Sequence, residues 1–451
     1  MMTPLTLSYL AHRFGGTLWA PDAEFTAVGT DSRHLQAGEL FVALRGDRFD
    51  GHRFLADVAG RACGAVVDTP DRTLSLPQWV VADTVVALGQ IARCNRERFH
   101  RPVIAITGSS GKTTVKEMLA SILSRRGRVL ATHGNLNNHI GVPLTLLRLS
   151  GEDRYAVVEM GASAAGEIAS YCHWAEPDIA LVNNVAPAHL QGFGSLDGVA
   201  HAKGEIYQGL SARGIAIVNR DEPFADDWLQ SLEGRTVLSY GLGNDMVDVR
   251  ALSVESLADG CCRFRLWVRG ESAEVTLTIP GRHNVMNALA AACCAYAAGA
   301  ELADIAAGLS SAVTVGGRMR VLGGLRGARV VDDSYNANPG SVRAAIDTLA
   351  QFAGRRVLVL GDMGELGDSA ARLHAELGSY ARERGIDELW TVGPLSAAAA
   401  ATFGSDRHFD DRTALADSLA PLLDREMTVL IKGSRSAGME AVVAALIEEK
   451  G

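Results

Sequence analysis

Glycine, lysine and threonine converge in one short stretch, "VIAITGSSGKTTVKEML" (residues 103–119). Gly108 and Gly111 bracket Ser109 and Ser110, and Lys112, Thr113 and Thr114 follow at once. A glycine-bracketed turn between an apolar strand and a helix start brings backbone close to phosphate oxygens, with free helical N–H groups and the positive dipole end aimed at them. In that setting Lys112 reaches the β- and γ-phosphates and Thr113 places its hydroxyl on magnesium. The spacing is compressed, because two residues separate the first glycine from Gly-Lys-Thr where the common triphosphate loop has four. The competing reading is an ordinary strand-to-helix turn with two glycines.

Candidates for the metal lie downstream. "YAVVEMGASAAGEI" sets Glu159 at the carboxyl end of a strand-like apolar run, where a buried carboxylate is costly without a cation or hydrogen bonds. "VNNVAPAHLQGFGS" sets His189 just beyond the end of the next strand. Both fall on the sheet edge from which the phosphate loop emerges, so Thr113, Glu159 and His189 could share a magnesium ion. Histidine is an unusual ligand for so hard a cation, and a satisfied turn residue is the alternative. "AHAKGEIYQGL" places Lys203 at the start of a predicted helix. It could clamp phosphate, or react with carbon dioxide to give a carbamate that binds a second magnesium; a helix-surface lysine is the plain alternative.

Three further motifs carry polar groups. "GRHNVMNALAA" offers His283, Asn284 and Asn287 at a helix start, suited to a base or ribose, or to capping alone. "GGRMR" puts Arg318 and Arg320 at a junction between segments, where one could swing onto a γ-phosphate or remain solvated. "VDDSYNANPGSV" follows a strand with Asp332, Asp333, Tyr335, Asn336 and Asn338. Proline suits the first helical turn, so Asn338 could be a cap and nothing more.

The lysine count sharpens these choices. Of 43 basic residues, the only lysines are Lys112, Lys116, Lys203, Lys432 and Lys450. A chain that uses arginine wherever a cation will do keeps lysine where a compact charge or a reactive amine is needed. Lys112, Lys203 and Lys432 sit in glycine-containing motifs; Lys116 and Lys450 read as composition bias and chance. The net charge of -9 argues against nucleic acid or an anionic membrane as the main partner. The seven cysteines are odd in number and lack Cys-x-x-Cys spacing, which suits buried thiols in a reducing cytosol. No basic leader with a long apolar segment opens the chain, so no signal peptide is expected. "NALAAACCAYAAGA" (287–300) suits a packed internal helix better than a membrane span.

These residues need strands that end on one edge. At 451 residues the chain suggests about three domains. Residues 1–83 read as a small α/β unit closing near "LPQWVVADT", and residues 84–316 as alternating buried parallel strands and helices, interrupted by a β-rich insertion at about 245–280. Residues 317–451 repeat the alternation as a second doubly wound sheet, with "ARVVDDSY", "RRVLVLGD", "ELWTVG" and "TVLIKGSR" as its strands.

Taken together, the compressed "TGSSGKTT" loop with "TDSRHLQAGELFVAL", "GNLNNHIGVPLTLLRL", "AKGEI", "DSYNANP", "LGDMGELG" and "IKGSRSAGME" resembles the Mur ligases over nearly the whole chain. These ATP-dependent enzymes build the stem peptide of peptidoglycan and so serve cell-wall biogenesis, cell shape and division. The resemblance implies three α/β domains: a UDP-sugar-binding N-terminal domain, a central ATP-binding parallel-sheet domain and a C-terminal Rossmann-like domain. "AKGEI", "DSYNANP" and "LGDMGELG" point within the family to the activity that joins D-alanyl-D-alanine to UDP-N-acetylmuramoyl-tripeptide. Alternatives are another Mur-type or folylpolyglutamate-type ligase, or, from a different class, a nucleotide-dependent switch; against the switch, no Asn-Lys-x-Asp element for guanine is present.

By the same resemblance, residues 108–114 hold ATP, Thr113, Glu159 and His189 bind magnesium, and Lys203 matches a lysine carbamylated in several relatives. Asn284 and Asn287 lie by the adenine, Arg318 by the γ-phosphate and Asp333 by the ribose. Ser32 and Arg33 contact the nucleotide-sugar, while Asn336, Asn338, Lys432, Ser434 and Arg435 line the dipeptide side. His139 stands where the family loop carries an acidic residue and is given no role. A cytoplasmic monomer without membrane insertion is the expected form.

Overall fold

The computed structural model describes residues 2–46, 49–187 and 190–448. Three principal sheets succeed one another along the chain. The first has five strands, in the order Thr17–Trp19, Gln78–Val80, Gly64–Val67, Leu40–Val42 and Val28–Gly29, with all pairs parallel except the one that adds Thr17–Trp19 at the edge.

The second sheet carries the phosphate loop. Val103–Thr107, Tyr155–Glu159 and Ile179–Val182 are buried at every position, as expected of parallel strands covered on both faces. Val103–Thr107 lies between the other two, with Ile106 beside Glu159 and Thr107 beside Val182. From it the chain moves outward to Val129–Ala131 and back to Tyr155–Glu159 on one side, then to Ile179–Val182 and Ile215–Asn219 on the other. The strand order thus reverses at the loop, opening a crevice at the carboxyl ends.

The β-rich stretch near 245–280 is not set apart from this sheet; it is the sheet's far edge. Val249–Ser256 pairs parallel with Thr236–Gly241, and Cys262–Val268 and Glu271–Thr276 continue antiparallel, making nine strands. The reason is the alternation of Cys262, Phe264, Leu266 and Val268, which gives the edge one apolar face that must be covered. Helix Leu302–Ser310 packs against Glu271–Thr276, and helix His283–Ala297 against Val249–Ser256. His283–Ala297 also packs on Lys112–Ser124, the helix that follows the phosphate loop. Its buried run from Ala288 to Ala295 is almost all alanine and cysteine, and such small side chains let the two helices approach closely.

The third sheet has six strands, in the order Arg320–Gly323, Arg329–Asp333, Met427–Lys432, Arg355–Gly361, Glu388–Val392 and His408–Phe409. Only the first pair is antiparallel. Asp333 and Lys432 face each other at neighbouring strand ends, on the edge turned toward the phosphate loop. All seven cysteines are free thiols, six of them buried.

Candidate active site

The loop after Thr107 is shaped by glycine. Gly111 has φ +76°, and a Cβ there would lie 2.5 Å from Asn287 Oδ1 and 2.7 Å from Asn183 Nδ2. No side chain caps helix Lys112–Ser124, so its first-turn N–H groups remain available to an anion. Lys112 Nζ donates to Gly108 O at 2.7 Å, folding over the loop.

Asparagines brace this loop from below. Ser110 N donates to Asn184 Oδ1 at 2.8 Å, and Asn183 Nδ2 donates to Ser110 O at 3.0 Å and to Asn287 Oδ1 at 2.9 Å. Asn287 Nδ2 in turn donates to Asn284 Oδ1 at 2.8 Å, and Asn284 Nδ2 to Pro280 O at 2.7 Å. Asn284 and Asn287 therefore line the cavity with their amides already committed to the loop's support. Asn183 and Asn184 escaped the sequence reading; their signal is a pair of amides directly after a buried strand.

Glu159 is buried at the loop's flank. Its Oε2 accepts from Thr113 Oγ1 and its Oε1 from Asn137 Nδ2, both at 2.8 Å. A hydroxyl and a carboxylate are hard oxygen donors fitted to magnesium, which takes few protein ligands and fills the rest of its shell with phosphates and water. No cluster of three His, Cys, Asp or Glu residues able to hold a metal occurs among the described residues. His189 lies outside the described residues. Lys203 is not at a helix start: Ser195 Oγ accepts from Gly198 N as the cap of Leu196–Gln208, which puts Lys203 mid-helix and 3% exposed. Burial, then the nearby charge of Lys112, pulls its ammonium down to about 7.

The opposite wall belongs to the third sheet. Lys432 Nζ donates to Asp333 Oδ2 at 2.5 Å and to Asn336 O at 2.9 Å. Asp333 Oδ1 accepts from Met319 N at 3.2 Å, Asp332 Oδ2 from Gly317 N at 2.8 Å, and Gly317 O from Tyr335 N at 3.0 Å. These bonds pin residues 317–319, the link between the second and third sheets. The guanidinium of Arg318 lies 4.2 Å from the centre of the Tyr335 ring, and that of Arg435 lies 5.5 Å from it. Asn338 Oδ1 caps helix Pro339–Leu349 by accepting from Ser341 N at 2.8 Å, while its Nδ2 donates to Ser110 Oγ at 3.0 Å. It is thus both a cap and a bridge to the phosphate loop.

One cavity of about 810 Å³ gathers these groups. Residues 109–114, Glu159, Asn284, Asn287, Arg318, Asp333, Asn336, Asn338 and Lys432 all line it, as does His139. Gly108, Lys203, Ser434 and Arg435 are not among the lining residues. Ser434 N donates to Asp362 O at 2.9 Å. Arg320 starts an exposed edge strand away from the cavity. Ser32 and Arg33 are not brought to the cavity at all: Ser32 O accepts from Arg61 at 2.9 Å, and Arg33 pairs with Asp31 at 2.7 Å in the N-terminal sheet region. Two more lining groups shift their ionisation. Burial raises Glu222 to about 7 and lowers His283 to about 4.

A phosphate loop that shares one cavity with the strand ends of a second parallel sheet is the architecture of a nucleotide-dependent ligase. The chain belongs to the Mur ligase family, whose members are ATP-dependent ligases: the Mur ligase middle domain matches residues 106–295, the glutamate ligase domain residues 317–435, and the family's catalytic domain residues 24–106. It is 46% identical, over 99% of both chains, to the UDP-N-acetylmuramoyl-tripeptide--D-alanyl-D-alanine ligase of Escherichia coli strain K12. The Bacillus subtilis strain 168 ligase of the same name is 36% identical, also over 99% of both chains. Among solved structures, MurF from Acinetobacter baumannii superposes with a TM-score of 0.91 at 39% identity, covering 98% of each chain. The Thermotoga maritima MurF ligase in complex with ADP gives 0.82 at 29% identity, covering 93% of this chain and 96% of that one. The fold is accordingly the three-domain α/β architecture of the family, and no helix among the described residues is long and apolar enough to cross a membrane.

Proposed function

We propose that this chain joins D-alanyl-D-alanine to UDP-N-acetylmuramoyl-tripeptide, using ATP and releasing ADP and phosphate. The observation that carries this reading is the single cavity shared by the phosphate loop and by Asp333, Asn336, Asn338 and Lys432. Such a cavity lets a phosphoryl acceptor and an amine meet with their partners held by different sheets. Residues 84–316 hold ATP, residues 317–451 the dipeptide, and residues 1–83, through Ser32 and Arg33, the nucleotide-sugar. A tripeptide spans about 10 Å when extended, so a nucleotide held outside the cavity still delivers its peptide end into it.

The tripeptide's terminal carboxylate oxygen attacks the γ-phosphorus, the bond to ADP breaks, and an acyl phosphate results. The dipeptide's ammonium gives one proton to solvent, the amine adds to the acyl carbon, and the tetrahedral intermediate releases a second proton from nitrogen to solvent and expels phosphate. Lys112 and the first-turn N–H groups hold the β- and γ-phosphates, and Arg318 offsets the charge that develops on the transferring group. Asn284 and Asn287 keep the loop in shape beside the adenine. Magnesium, when bound, supplies further charge neutralisation next to Thr113 and Glu159, with His189 and carbamylated Lys203 as additional ligands. A lysine whose ammonium is drawn down to about 7 offers the free amine that adds to carbon dioxide with loss of a proton. A reaction that uses ATP and a UDP-linked substrate supports a cytoplasmic site of action, and a monomer remains the expected form.

The test supplies ATP, magnesium, UDP-N-acetylmuramoyl-tripeptide and D-alanyl-D-alanine. Phosphate release that requires the dipeptide is the expected result; release independent of it, or none, sinks the assignment.

A further inference from the structure

Lys116 is the lysine that the motif reading set aside, yet it is 2% exposed and ranks among the largest fully buried side chains. It lies on the phosphate-loop helix one turn beyond Lys112 and is not among the residues that line the cavity. Its Nζ donates to Thr132 O at 2.7 Å and pairs with Glu117 at 2.7 Å. A buried ammonium persists only when so partnered.

The contact leads to the metal carboxylate. Thr132 follows strand Val129–Ala131 and is itself 1% exposed. Its Oγ1 accepts the backbone N–H of Glu159 at 2.9 Å. The Glu159 carboxylate accepts from Thr113 Oγ1 at 2.8 Å, and Thr113 sits three residues before Lys116 on the same helical face. Lys116, Thr132, Glu159 and Thr113 therefore form a closed ring in which one helix grips Glu159 twice, through its carboxylate and through its backbone. The ring sets how deep the carboxylate sits relative to the Thr113 hydroxyl. An arginine is unsuited to this position, because its larger planar fork brings five N–H donors to a pocket that offers one carbonyl and one carboxylate.

We propose that Lys116 is a positioning residue for the divalent-cation site formed by Thr113 and Glu159, acting through Thr132. This rests on the magnesium reading of the site given above.

The test measures ADP affinity of the full-length protein by calorimetry, once with magnesium and once with EDTA. The ratio of the two affinities reports the cation alone. In Lys116→Met, Lys116→Arg and Thr132→Val the ratio should fall about ten-fold, as for other groups that orient metal ligands, with ADP affinity in EDTA unchanged. Thr132→Val keeps the carbonyl that Lys116 needs and decides the matter if the Lys116 variants do not fold; Thr132→Ser should restore the ratio. A wild-type ratio in a folded Lys116 variant or in Thr132→Val, or equal losses with and without magnesium, overturns the proposal while leaving the magnesium reading intact. A wild-type protein whose ADP affinity ignores magnesium overturns that reading, and the proposal with it.

Discussion

Asn338 donates to the hydroxyl of Ser110 at 3.0 Å across 228 residues of sequence, joining the first turn of a third-sheet helix to the phosphate loop of the second sheet. The side chain that caps one helix also touches the glycine-bracketed loop. The hydrogen bond gives the third sheet a direct contact with that loop.

A double-mutant cycle tests that link. Asn338→Ala removes the cap as well as the bridge and should cost about 1 kcal/mol of stability, whereas Ser110→Ala removes only the bridge. The coupling between them in kcat/KM should be about 0.5–1.5 kcal/mol, the range of one hydrogen bond. Strictly additive losses, measured by dipeptide-dependent phosphate release, would show the two residues to be independent.

Lys432 and Asp333 form a buried ion pair, with 3% and 9% exposure respectively. Lys432→Met leaves Asp333 buried without its cation and should destabilise the protein by about 3–5 kcal/mol in denaturant titration. Adding Asp333→Asn should recover a substantial part of that loss. No recovery would mean that Lys432 stabilises the third sheet by other contacts.

Glu222 gives stability a pH dependence. Burial raises its carboxyl from the ordinary 4.5 to about 7, against the hydrogen bond from Val185 N that favours the charged form. The folded state therefore keeps a proton that the unfolded chain releases. Its contribution is fully present below about 4.5 and is lost as pH rises through 7. Relative to Glu222→Gln, the wild type should lose about 1–2 kcal/mol between pH 5 and 8, a figure reduced for partial exposure. Parallel melting curves for the two proteins across that range would refute it.

Lys203 should be indispensable to turnover. Lys203→Ala is expected to lower kcat by about 100-fold or more, and a short added carboxylate should restore part of it. Full activity in the variant, read by phosphate release, would end the carbamate reading.

Much of this site is legible in the residues because it is local. The phosphate loop and Glu159 each announce themselves through a strand-like run that stops at glycine or a polar group, and the structure puts them together. What sequence cannot display is burial and partnership at a distance. Lys116 looked like chance because nothing in "TTVKEML" shows that its ammonium ends against Thr132, just past strand Val129–Ala131. Asp333 and Lys432 each had a ligand-facing role by resemblance, and only strand pairing reveals that they neutralise one another. Lys203 was read at a helix start, whereas the cap at Ser195 begins the helix well before it and leaves Lys203 in the middle. The stretch at 245–280 read as separate because its alternation differs from that of the parallel strands, although pairing makes it their continuation.

Gly111 has one more implication. Its backbone is left-handed, and the space where a side chain would stand is held by the amides of Asn183 and Asn287. Relief at this point thus demands coordinated change in a second strand and in the alanine-rich helix. A methyl group at Gly111 would therefore disturb loop, strand end and helix together, because the three meet in the space of that one atom.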